Sequence, residues 1–132
     1  MRSERVIKTL LEANAGVTGL VGTRIYAGQI PQQPQLPCIG FSKVSSVDVP
    51  PISASAGQNI AVGRIQVTAF AADYPGTKTV LEAVYQALRY RSGLIDTVTV
   101  ISVMPDVEGP DIYDPDLAQF YQSRDFLITH YQ

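Results

Sequence analysis

Between Ile60 and Arg91 the apolar residues change their spacing once, and that change constrains the fold more than any other feature of the chain. From Ile60 to Ala72, Ile65, Val67 and Ala69 alternate with Arg64, Gln66 and Thr68, the spacing that gives a strand one buried and one polar face. From Pro75 to Arg91, Val80, Leu81, Val84 and Leu88 form a single stripe at helical spacing. Pro75 and Gly76 stand near the start of this helix, Arg89 and Arg91 place positive charge at its C-terminal end, and Gly93 follows as a stop. Each element has one apolar face and needs the other to cover it.

The remaining segments extend this pattern. Ser3 is placed to cap a helix over residues 3–14, with Val6, Ile7, Leu10 and Leu11 on one side, Glu4 against the N-terminal dipole and Ala15-Gly16 as a stop. Gly16, Gly19, Gly22, Gly28, Pro31, Pro34 and Pro37 then predict a connector with a short extended piece at Arg24-Ile25-Tyr26. Strands are predicted over Cys38–Val47, Thr97–Met104 and Ala118–Tyr131. Residues 48–59, DVPPISASAGQN, and residues 105–117, PDVEGPDIYDPDL, make two connections longer than a tight turn needs. The order helix, strand, strand, helix, strand, strand predicts an α+β fold. It consists of one antiparallel or mixed β-sheet of about four main strands covered by two α-helices, with two long hairpin loops. At 132 residues the chain is expected to form a single domain over 1–132.

Charged residues make up only 17% of the chain, below the roughly 25% usual for soluble proteins, so part of the surface is expected to be covered in use. The ten basic residues are scattered and the net charge is −2, which argues against a nucleic-acid-binding protein. The seven tyrosines therefore read as core edges and protein-interface anchors, not as base-stacking platforms. MRSERVIKTLLEANAG is interrupted by Glu4, Lys8 and Glu12, so no signal peptide is expected, and no run approaches a membrane span. The single cysteine, Cys38, suits a reducing cytoplasm.

Candidate chemistry is sparse. His130 is the only histidine and stands in the last strand without a nucleophile elbow, so a subunit contact is the preferred reading over catalysis. Asp106, Glu108, Asp111, Asp114 and Asp116 offer oxygen ligands to a hard cation, but their spacing does not match an EF-hand loop. A stiff, solvated, negatively charged loop accounts for them better. Phosphate-binding glycine motifs are missing. No enzyme activity, cofactor or metal is expected, and the surfaces themselves become the candidate function.

Thr23 to Ser46, TRIYAGQIPQQPQLPCIGFSKVSS, resembles the tail-completion or tail-terminator family of long-tailed bacteriophages and prophages. The resemblance rests on order along the chain. After Val17–Val21 come an RIY step (Arg24, Ile25, Tyr26), a Pro-Gln step (Pro31, Gln32) and an LP step (Leu36, Pro37). Gln66, Val67, Phe70, Ala71 and Asp73 then precede the second helix, and Asp111, Tyr113, Asp114, Pro115 and Asp116 lead into Tyr121, Ser123, Arg124, Asp125 and Phe126. Cys38 departs from the family pattern, which more often places an aromatic or aliphatic residue there.

The resemblance implies a structural virion protein forming a homo-oligomeric ring, commonly a hexamer, at the head-proximal end of the tail. Such a ring caps the tail tube protein, stops tube polymerisation, and meets the head-tail connector protein, while genomic DNA passes through its channel without specific binding. No membrane association is implied, and assembly would take place in the host cytoplasm. Its subunit or tube contacts are expected in the two long loops, at Asp48, Val49, Pro50, Pro51, Ile52 and Ser53, and at Asp106, Glu108, Asp111, Tyr113, Asp114 and Asp116. The alternatives are another head-tail neck adaptor subunit, or a small metal-dependent enzyme built on the acidic loop.

Overall fold

A computed structural model describes residues 2–32, 34–49 and 59–131. Three helices occur among them, α1 (Arg2–Ala13), α2 (Ala15–Val21) and α3 (Tyr74–Leu88). Seven strands accompany them: β1 (Ile25–Ala27), β2 (Cys38–Val49), β3 (Ile60–Ala71), β4 (Gly93–Ile95), β5 (Val98–Glu108), β6 (Ile112–Asp114) and β7 (Gln119–Tyr131). The sheet runs β1-β2-β3-β7-β5-β4, with β6 beside β7 beyond the end of β5. All pairings are antiparallel except the short parallel β1–β2 pair. The sheet curves into a half-barrel with the three helices on one face.

The expectation of about four main strands under two helices is therefore corrected to seven strands and three helices. The four long strands and the two long helices stand where their periodicity places them, and what the pattern lacks is short. Three-residue strands such as β1, β4 and β6 cannot show alternation. Three glycines, Gly16, Gly19 and Gly22, sit inside or beside the seven-residue α2, where they resemble a linker. Asn14 starts α2 by accepting a hydrogen bond from the Val17 amide, so Ala15-Gly16, the stop expected for α1, instead opens the next helix.

The second expected loop is likewise half strand. β5 continues through Pro105 to Glu108, and β6 occupies Ile112–Asp114. Proline is tolerated because, among the described residues, no strand lies beyond β5 at that level, so the missing amide leaves no ladder bond unmade there. Between β4 and β5, Asp96 and Thr97 both have positive φ, the two-residue turn that joins twisted strands closely. Of the first loop, Asp48 and Val49 belong to β2, while Pro50, Pro51, Ile52 and Ser53 lie outside the described residues.

β3 alternates along its whole length, and its buried side meets the helices. The core contains Val6, Ile7 and Leu11 of α1, Val84 and Leu88 of α3, and Ile65, Phe126 and Ile128 of the sheet. Ser3, expected as a cap, is instead inside α1 and buried, with its hydroxyl 2.9 Å from His130 Nε2. Nδ1 of His130 lies 3.0 Å from the Tyr131 carbonyl, which can only accept, so Nδ1 carries the proton and Nε2 accepts from Ser3.

Close contact between α1 and the sheet depends on Gly63, because a Cβ there would stand 2.1 Å from Ser3 Oγ and 2.8 Å from Ser3 Cβ. Gly63→Ala is expected to push the first turn of α1 from the sheet and cost about 1–3 kcal/mol in urea unfolding. The penalty should shrink in a Ser3→Gly background; an equal penalty in both backgrounds would show that the close approach is not the cause.

Candidate assembly surfaces

The sheet face turned away from the helices carries the side chains that the helices do not cover. Val62, Arg64, Gln66, Thr68 and Phe70 alternate outward along β3, and all are partly exposed. Cross-strand register brings Val47 beside Val62 and Leu127 beside both Arg64 and Met104. These valines, Leu127 and Met104 make an apolar end to the face, near the β2–β3 connection. In the middle, Arg64 Nη1 is 2.6 Å from Asp106 and 3.1 Å from Asp125. Two carboxylates on one guanidinium hold β5 and β7 against β3, and the group keeps one net negative charge.

At the other end Phe70 stacks on Tyr121 with centroids 5.4 Å apart. Ile30, Pro31, Gln32, Leu117 and these two rings line an open groove of about 770 Å³. Ile30 reaches it because Gly40 has no side chain: a Cβ at Gly40 would be 2.9 Å from Ile30 Cδ1. The residues of the RIY and LP steps act as supports for this region. Arg24 donates to the Pro37 carbonyl at 2.9 Å and to the Leu20 carbonyl at 3.4 Å, tying the end of α2 to the start of β2, and Ile25 packs in the core. Beneath them Cys38 is fully buried, and its thiol is pushed up to about 11 by burial, with the nearby Arg24 charge opposing, which removes it from thiolate chemistry.

The expected contact residues form two groups whose tips lie at opposite ends of the molecule, with Asp106 at mid-sheet beside Arg64. Asp48 and Val49 pair with Ala61 and Ile60, whereas Ile112–Asp114 pair with Tyr121–Gln119, at the level where β3 ends. About eleven residues of strand, roughly 36 Å, lie between them. The acids of the second group are also not equivalent. Asp106 belongs to the Arg64 cluster, and Glu108 accepts from Gln122 and approaches Arg124. Asp114 caps its own turn by accepting from the amides of Asp116 and Leu117, while Asp116 is exposed. Tyr113 is exposed and packs its ring against Phe120 at 4.7 Å. Among the described residues no three His, Cys, Asp or Glu side chains gather as a metal-binding group. His130, expected from the sequence at a subunit contact, is buried beneath α1.

Asp111 instead binds α3. Its carboxylate accepts from Lys78 Nζ and from the Tyr74 hydroxyl at 2.7 Å, and Lys78 also donates to Gln122 at 2.6 Å. The hydrogen bond from Lys78 first, then that from Tyr74, holds the Asp111 carboxyl below its usual value, and the same Asp111 contact raises Lys78. Neither partner was identifiable from spacing, because Lys78 and Tyr74 stand 33 and 37 residues before Asp111 and are brought to it only by the folded sheet.

A depressed carboxyl favours the folded state above its ordinary value of 3.8, and that contribution is lost as pH falls through the lower folded value. Asp111→Asn should therefore be less stable than the parent at neutral pH, with the difference closing in acid. The difference should also close in strong alkali, as Lys78 loses its proton above its ordinary 10.5. Urea midpoints across pH measure this, and a gap that persists unchanged at pH 2 would contradict the assignment.

A family model described as Tail completion protein gp17 matches residues 5–124. A chain of the virion of a native gene transfer agent (GTA) particle shares the fold with a TM-score of 0.71 and 16% identity, over 96% of this chain and 92% of that one. No curated protein matches the chain.

Proposed function

Because the chain belongs to the tail completion protein gp17 family, we propose that it completes the tail as a ring of identical subunits that caps the head-proximal end of the tube. It is a structural, virion-located protein. In the proposed ring one face meets the last layer of tail tube protein and ends its polymerisation, and the opposite face receives the head-tail connector protein. The work is done by complementary surfaces on a closed oligomer, whose head-to-tail contacts must close without continuing into a filament. Catalysis has no part in it.

The observation that carries this reading is the family match, which runs from the first turn of α1 to the middle of β7 and so takes in nearly the whole folded unit. The separation of the candidate contacts supports it. A subunit between a tube and a connector needs two distinct ends, and here Asp48 and Val49 mark one end while Tyr113, Asp114 and Asp116 mark the other. Only the second end is strongly acidic.

Antibody against the chain should place immunogold at the head-proximal end of isolated tails. Label on heads alone would identify a neck adaptor instead, and particles without label would remove the chain from the virion.

Some acids of this end are further proposed to border the channel, where negative charge lets DNA pass without adhering. Asp111, Asp114 and Asp116 changed together to lysine should then slow DNA ejection in a salt-dependent way, measured as release from purified particles. Normal ejection at low salt would place these acids away from the channel.

A further inference from the structure

Among the described residues the sheet has two open edges, and they are related in a way that suits another copy of the same chain. On one side β1 covers β2 only at Ile39–Phe41, so Ser42–Val49 has no strand beyond it among the described residues. On the other side β4 pairs with β5 only at Val98–Val100, and Tyr90 and Arg91 bond Val103. From Met104 on, β5 and then β6 form the outer edge. Each edge exposes apolar side chains among its polar ones: Val44 is 54% exposed and Val47 62% on the first, and Met104 44% and Val107 60% on the second. Long open edges of this kind recruit further strands.

Two geometric features select the partner. The long strands β2, β3, β7 and β5 alternate strictly in direction, so β5 runs opposite to β2. A second copy set beside the first without reversal would therefore lay its β2 against β5 as an antiparallel neighbour, continuing the ladder. The open edges are also offset. Projected onto β7 through the register, the first spans Asp125–Tyr131 and the second Gln119–Leu127, with midpoints at Ile128 and Ser123. That offset is about 17 Å along the strands, against about 19 Å across four strands. The resulting slope of roughly 40° falls in the range of about 35–45° by which strands tilt in closed barrels. Each flank carries a bulge, at Lys43/Ser45 and at Pro105/Glu108, and bulges bend a sheet in the way closure requires.

We infer that Ser42–Val49 of one subunit pairs with the Met104–Asp114 edge of the next, so that the ring closes as one continuous β-sheet. The inference rests on the ring reading above and adds its joint. At the joint Val47, which lies on the outward face with Val62, comes within side-chain reach of the apolar residues of the neighbouring edge.

Val47→Cys combined in turn with Met104→Cys, Val107→Cys or Ile112→Cys tests the joint in assembled tails, using a short thiol cross-linker and a denaturing gel. The parent chain serves as control, since its Cys38 is fully buried. At least one pair should give a ladder of multimers up to the full ring, and no single variant should. Dimers from Val47→Cys alone would overturn the inference in favour of two-fold pairing of β2 edges. Loss of every ladder, in tails that mass measurement shows to hold several copies, would overturn the joint and leave the ring standing. One copy per tail would overturn the ring itself, and the joint with it.

Discussion

The pairing of β3 with β7 supports everything else in this molecule. The two strands are matched without interruption from Ile60 opposite Tyr131 to Ala71 opposite Phe120. A long, unbroken antiparallel pair has one register in which every apolar residue points to the same side, and a slip by one residue would turn one strand's apolar set, Ile65 and Val67 or Phe126 and Ile128, outward. With that register set, the rest of the sheet takes its place from either side, β2 on β3 and β5 with β6 on β7. The helices then cover the face that carries the core.

The two faces of this pair have different duties. On the helix side, small residues allow close packing: Gly63 admits the first turn of α1, and the buried Ser3–His130 pair fills the contact with a satisfied hydrogen bond instead of a cavity. On the outward side, apolar, charged and aromatic zones follow one another along the strands, from Val47 and Val62 through Arg64 to Phe70 and Tyr121. A monomer gains little from such a graded, half-exposed surface. A subunit in an assembly can use each zone against a different neighbour.

Legibility in the sequence followed the length of the elements. β3 and α3 were evident because each repeats its period several times, and the motif order from Arg24 to Phe126 identified the family that the comparisons then established. β1, β4, β6 and α2 were not evident, since three residues cannot alternate and a helix begun by Asn14 between glycines looks like a connector. The candidate site was legible only as composition. The acidic stretch stood out, but its five acids proved to have separate tasks: one on Arg64, one beside Gln122 and Arg124, one on Lys78 and Tyr74, one capping a turn and one in solvent.

What the sequence determined by itself was therefore the periodic content: which long segments are strands or helices, and which of their faces are apolar. Periodicity is a local property, written in residues a few positions apart. The pairing of Arg64 with Asp106 and Asp125, the burial of His130 under α1, and the two offset open edges were decided by the tertiary structure alone. Each depends on register between strands far apart in the chain, and register is set by the whole core at once, not by any segment within it.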